Sequence, residues 1–189
     1  MLRTVGVCVQ VVMLVVLGAR GGIAAPAEET PVADAAESRD AAVIETLLKM
    51  GADVNAAQAD GMTALHWAVY HDEFQTTKLL VKAGADVRRE NRYGVAPISL
   101  AAPNGNGPLV ELLLDSGADP NRVSEGGETV LMTAAYTGSL GVVEALLRHN
   151  ADPNATEHRN QTALMWAAAE GHASVVDSLI DAGADVHAK

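Results

Sequence analysis

Six histidines, scattered serines and aspartates, and one glycine-rich segment are the residues of this chain that could do chemistry. A hydrolytic centre would need a nucleophile held on a strained turn, and no Gly-x-Ser-x-Gly elbow is present. Asn104-Gly-Asn-Gly107 starts like a dinucleotide-binding loop but lacks its third glycine. As a Gly/Pro/Asn segment it reads as a turn. A metal site would need ligands at short, regular spacing. His71, His149, His158 and His187 are spread along the chain, with no i, i+4 histidine pair and no cysteine partner. The residues therefore point to no catalytic group, no metal and no cofactor.

Charge narrows the partners. The formal net charge is −11, so the chain lacks the basic face that phosphate contacts require, and nucleic acid is excluded as a general ligand. Arg88-Arg89-Glu90-Asn91-Arg92-Tyr93 is a basic, aromatic stretch on that acidic body. It reads equally as a solvated loop with its arginines paired to nearby acids, or as a protein contact built on Arg and Tyr.

What positions these residues is a repeat. Gly-Ala-Asp begins at Gly51, Gly84, Gly117 and Gly183 on one fixed interval, with Asn150-Ala-Asp in the remaining slot. Thr63, Thr129 and Thr162 keep the same interval, with Ala96 in the fourth register and Thr30-Pro31 one period ahead. Each threonine is a natural N-cap, and Pro31 and Pro97 suit the first helical position. Leu65, Ala68 and Val69 mark one helical face. Gly105, Gly138 and Gly171 supply a turn needing positive φ, and Arg39 and Asp72 in that slot predict looser or differently shaped turns. A second helix follows, with Leu79-Leu80, Leu112-Leu113, Leu146-Leu147 and Leu179-Ile180. It ends at the Gly or Asn of the next Gly-Ala-Asp slot, in the left-handed conformation that Asn tolerates best after Gly.

These residues resemble the ankyrin repeat. The likeness is carried by Thr63-Ala-Leu-His66-Trp-Ala68 through Gly84-Ala-Asp-Val87, and by Thr162-Ala-Leu-Met165-Trp-Ala-Ala168 with Gly171-His172 and Gly183-Ala-Asp-Val-His-Ala. It runs from Thr30 to Lys189, departing where Ser99, Met132 and Met165 replace a histidine and where Pro103 to Pro108 disrupts the third unit. The resemblance implies an all-α solenoid of helix-turn-helix units joined by β-hairpin-like loops. About five units are expected, over 28–60, 61–93, 94–126, 127–159 and 160–189. It also implies that His66 and His172 bond nearby backbone. Trp67 and Trp166 share one slot, which favours packing between units over ligand contact.

The family binds proteins on its concave side, through loop tips and exposed first-helix surface. By position, this resemblance implies contacts at Asp60, Met62, Tyr70 and His71 with Ala59 in the second unit. The third gives Arg92 and Tyr93, with Val95, Pro103 and Asn104. Glu125, Glu128, Tyr136 and Thr137 follow in the fourth, and His158, Arg159, Gln161 and Glu170 with Ala169 in the fifth.

Residues 1–27 differ in kind. Arg3 gives a positive start, Val5 to Leu17 an apolar run too short to span a membrane, and Ala25-Pro26-Ala27 a cleavage site before Glu28. Export to a periplasm or medium is expected, without stable membrane insertion, leaving the repeat domain over 28–189. Removal takes Arg3 and Arg20 and no acid, moving the charge from −11 to −13, and takes the only cysteine, Cys8. Asn154-Ala-Thr and Asn160-Gln-Thr are glycosylation sequons that would crowd the loop tips in a eukaryotic secretory route, which favours a bacterial source. Glu28 to Asp40 reads as a solvent-facing capping unit. At the other end Val175, Val176, Leu179 and Ile180 keep an internal unit's apolar pattern, so the chain also reads as the N-terminal part of a longer enzyme or regulatory protein.

Overall fold

The computed structural model describes residues 30–188, so the expected export segment at 1–27 lies outside the described residues. Paired helices repeat along them: α1 (Pro31–Glu37) with α2 (Ala41–Lys49), α3 (Ala64–Tyr70) with α4 (Phe74–Lys82), and α5 (Pro97–Ala101) with α6 (Gly107–Asp115). Then come α7 (Val130–Thr137) with α8 (Leu140–Arg148) and α9 (Ala163–Glu170) with α10 (Ala173–Asp181). Helices of this length, such as α3 and α4, are marginal alone, so stacking must hold them. First helices pack on first helices, α1 on α3 on α5 and α7 on α9, while second helices form a parallel layer through α4, α6, α8 and α10.

The core lies between those layers and is built from small and branched side chains. Ala33, Ala36, Ala64, Ala68, Ala134 and Ala167 are fully buried beside Val32, Ile44, Leu65, Leu80, Leu113, Leu146 and Leu179. Alanine at the first-helix contacts lets short helices approach closely, and leucine from the second layer fills the gaps.

Caps fall where the sequence places them. Thr63 Oγ1, Thr129 Oγ1 and Thr162 Oγ1 accept from the backbone N–H groups of His66, Met132 and Met165. Thr30 departs from this pattern, its hydroxyl donating to Asp34 Oδ1 at 3.1 Å. Ala96 offers no side-chain cap, and α5 stops at Ala101 in a 3₁₀ turn over Ala102–Asn104. Second helices end in the left-handed region at Gly51, Gly84, Gly117 and Gly183, with Asn150 joining them at φ 65°.

The turns at Arg39 and Asp72 correct the expectation. Both residues take the left-handed conformation (φ 59° and 57°) that Gly105, Gly138 and Gly171 take in later units, so the turns share one shape. The cost of that conformation for a side-chain-bearing residue is of the order of 1 kcal/mol. Contacts to the next unit offset it: Arg39 Nε meets Glu73 Oε1 at 2.8 Å, and Asn106 Nδ2 donates to Asp72 Oδ1 at 2.8 Å.

Between helices the chain doubles back in tight hairpins. The N–H groups of Gln58, Asn91, Ser124 and Glu157 donate to the carbonyls of Met62, Val95, Glu128 and Gln161, one such bond per hairpin, each at 2.9–3.2 Å. A second ladder runs at the base of these hairpins. Asn55 Nδ2 donates to Gly84 O, Asn121 Nδ2 to Asn150 O and Asn154 Nδ2 to Gly183 O, while each Asn Oδ1 accepts from Asp86, Asp152 or Asp185 N–H. Arg88 takes the Asn slot in the second unit and reaches Gly117 O through Nε.

Candidate functional site

The first-helix layer and the hairpin tips carry the exposed aromatic surface. Half of the chain's six aromatic residues are exposed: Tyr70 at 56%, Tyr93 at 67% and Tyr136 at 53%. Tyr70 is the last residue of α3, Tyr136 lies in the last turn of α7, and Tyr93 sits on the hairpin before α5.

Tyr70 belongs to a braced cluster. Trp67 meets it edge to face, ring centres 5.9 Å apart at 87°, and stacks on His71 at 5.8 Å and 21°. Trp67 Nε1 donates to Gln58 Oε1 at 2.7 Å, and Gln58 Nε2 donates in turn to Asp34 and Glu37 of the first unit, both at 2.8 Å. His71 Nε2 bonds Glu37 O at 3.2 Å. The cluster is thus a fixed platform tied across two units. Tyr136 repeats it more openly, edge to face with Trp166 of the next unit at 5.9 Å and 76°. Beside that pair lies an open dent of about 190 Å³ lined by Tyr136, Gln161, Trp166, Ala169 and Glu170. Both tryptophans therefore pack between units, Trp166 directly and Trp67 through Gln58.

The sites expected from the resemblance divide into three groups. Arg92, Glu125, Thr137, His158, Arg159 and Glu170 are exposed with the three tyrosines, and Arg92 makes no ion pair among the described residues. Asp60, His71, Glu128 and Gln161 are half-buried. Asp60 Oδ1 accepts from Met62 N–H at 2.9 Å, and Ser124 Oγ bonds Glu128. That hydroxyl, with backbone N–H and nearby His158 and Arg159, holds the Glu128 carboxyl below its ordinary range. Met62 forms the third group and is a correction. It is 8% exposed, tucked inward under the following hairpin with Asn91 Nδ2 at 3.4 Å from its sulfur, so it presents no surface. Asn104 also turns to structure, donating to Val69 O at 3.1 Å.

The residues of Arg88 to Tyr93 divide by what they touch. Arg88 is spent on Gly117 O, and Glu90 pairs with Arg122 at 2.8 Å. Arg92 and Tyr93 remain open at the tip, whose backbone is pinned by Arg92 N–H to Asp60 O at 2.8 Å.

Three histidines, His66, His71 and His172, hold backbone. His66 is fully buried; Thr63 N–H donates to its Nδ1 at 3.2 Å, which leaves Nε2–H to donate to Val95 O at 3.0 Å. Burial pushes its pKa down. His172 Nε2 reaches Tyr136 O at 3.0 Å. Three carbonyls in one slot, Glu37, Tyr70 and Tyr136, are thereby met from the following unit by His71, Asn104 and His172. Such an arrangement fixes a surface.

One grouping escaped the sequence. In the second-helix layer Glu111, Asp115 and His149 come together with ligand atoms all within 4.8 Å. The scattered histidines concealed it, although Glu111 and Asp115 stand i, i+4 on one helix.

Among the described residues no helix is long and apolar enough to cross a membrane. No curated protein matches the chain. A family model for ankyrin repeats, in three copies, matches residues 8–91 and 98–189.

Proposed function

Because the chain belongs to the ankyrin-repeat family, whose repeats are generally protein–protein interaction modules, we propose that it is an exported, non-catalytic scaffold for a protein partner. The partner lies on the concave side, against the first-helix ends and hairpin tips. The observation that carries this reading is the exposure of Tyr70, Tyr93 and Tyr136 in a chain with only six aromatic residues. Aromatic rings are large apolar surfaces that a core would normally absorb, and tyrosine is a favoured interface anchor with little rotamer entropy to lose.

Rigidity supports the same conclusion. The Tyr70 and Tyr136 rings are braced by Trp67, Trp166 and the cross-unit bonds of His71 and His172, so a partner meets a surface that is already ordered there. Arg92 and Arg159 add cationic points at the tips, while Glu37, Glu125 and Glu170 keep the surrounding face acidic. Export rests on Arg3, the apolar run from Val5 to Leu17 and the small residues at Ala25-Pro26-Ala27.

Affinity capture from the native envelope fraction tests the reading, with the wild-type chain and a Tyr70→Ala, Tyr93→Ala, Tyr136→Ala variant used side by side. A specific protein retained by the wild type and lost by an equally folded variant is the expected result. Equal capture by both would overturn the assignment of this face.

A further inference from the structure

We infer that Glu111, Asp115 and His149 form a surface site for a divalent cation of the zinc class, strapping the second helix of the third unit to that of the fourth. His149 Nε2 lies 3.2 Å from Glu111 Oε1 and 3.6 Å from Asp115 Oδ1. Zinc bonds to imidazole nitrogen and carboxylate oxygen of about 2.0–2.2 Å place tetrahedral ligand atoms roughly 3.3–3.6 Å apart. The Asp115 edge falls within that range and the Glu111 edge just below it. The third, between the carboxylates, closes within 4.8 Å.

The surrounding field suits a cation. Asp115 is the last residue of α6 and His149 is the C-cap of α8, so the negative ends of two helix dipoles converge on one spot. Arg148 also bonds Glu111, but through Oε2, leaving Oε1 turned toward the imidazole. It orients the carboxylate from behind, as the outer partners of metal ligands do. With neutral His149 the four side chains sum to one negative charge, two carboxylates against one guanidinium. One nitrogen and two carboxylate donors fit zinc-like ions better than calcium or magnesium, which favour all-oxygen shells.

Access is open, since the side chains are 26% (His149), 32% (Glu111) and 67% (Asp115) exposed. Water completes the fourth position. Bound metal would add a link between α6 and α8, elements a full repeat apart along the chain, in the layer opposite the aromatic face.

Isothermal titration of the metal-stripped full chain with Zn²⁺, alongside thermal melts with and without the ion, tests the site. The expected result is one Zn²⁺ per chain and a higher melting temperature in its presence. Asp115→Asn and His149→Ala should each weaken binding at least about tenfold and abolish the thermal gain. Asp115 is exposed, so its variant keeps the test valid even if the His149 variant folds poorly. His158→Ala, at an exposed tip elsewhere, should bind like the wild type. Absence of one-to-one binding would overturn the inference. So would wild-type affinity in Asp115→Asn, because other histidines would then hold the ion.

Discussion

The second and third units share a register and are held by different means. In the second, Thr63 and His66 close the start of α3 reciprocally, hydroxyl to backbone and backbone to imidazole. The third has Ala96 and Ser99 in those slots, no side-chain cap, and a first helix of five residues. Yet its entry is not loose. Val95 O, just before the uncapped start, receives Nε2–H of His66 from the preceding unit. A weak unit in a solenoid is stabilised by its neighbour, and here the third unit also bonds back, Asn104 to Val69 O and Asn106 to Asp72.

The largest effect should come from cutting the His66 link. His66→Ala leaves Thr63 N–H without its partner, removes one of the two donors to Val95 O and opens a void. A loss of about 2–4 kcal/mol in urea unfolding is expected, felt by both units. If the loss is under about 1 kcal/mol, the third unit is not leaning on the second. The same residue sets a pH dependence. Burial holds the folded His66 pKa below its unfolded value, so its stabilising contribution is complete above the unfolded pKa and fades as pH falls through the folded one. Melting temperature should therefore drop on acidification below about pH 6.5, and His66→Ala should flatten that part of the profile.

A smaller gain should come from giving the third unit what it lacks. Ala96→Thr restores the hydroxyl that caps α3, α7 and α9, at an N-cap already extended (φ −90°, ψ 158°), and should add about 1 kcal/mol. Thr63, Thr129 and Thr162 fit the same buried slot, at 2–5% exposed. Destabilisation in urea titration would mean that the disrupted helix after Pro97 has closed the space. The smallest change belongs to Asn150. Asn150→Gly should be neutral or stabilising by up to about 1 kcal/mol at its positive φ, while Asn150→Val should lower the melting temperature.

What the sequence made legible was what repeats. Helix stops and inward faces recur in every unit, and threonine caps in three of them, so each position is read several times and errors average out. Local rules failed where a single unit departs from its fellows. Arg39 and Asp72 were read from intrinsic backbone preference, but contacts with Glu73 and Asn106 impose the shared turn. Met62 was placed with its hairpin's tip, whereas alternation along the hairpin sends it inward. Glu111, Asp115 and His149 meet only because positions a full repeat apart become neighbours when units stack, a relation that histidine spacing alone does not reveal.

The central claim, a braced aromatic face that engages a partner, is tested most directly by amide hydrogen exchange on the chain alone and with its captured partner. Added protection should fall on the ends of α3 and α7 and on the hairpins around Asn91 to Gly94, Ser124 to Gly127 and Glu157 to Asn160. The second-helix layer, α4, α6, α8 and α10, should be unchanged. Protection confined to that second layer, with the tyrosine-bearing segments exchanging as in the free chain, would contradict it.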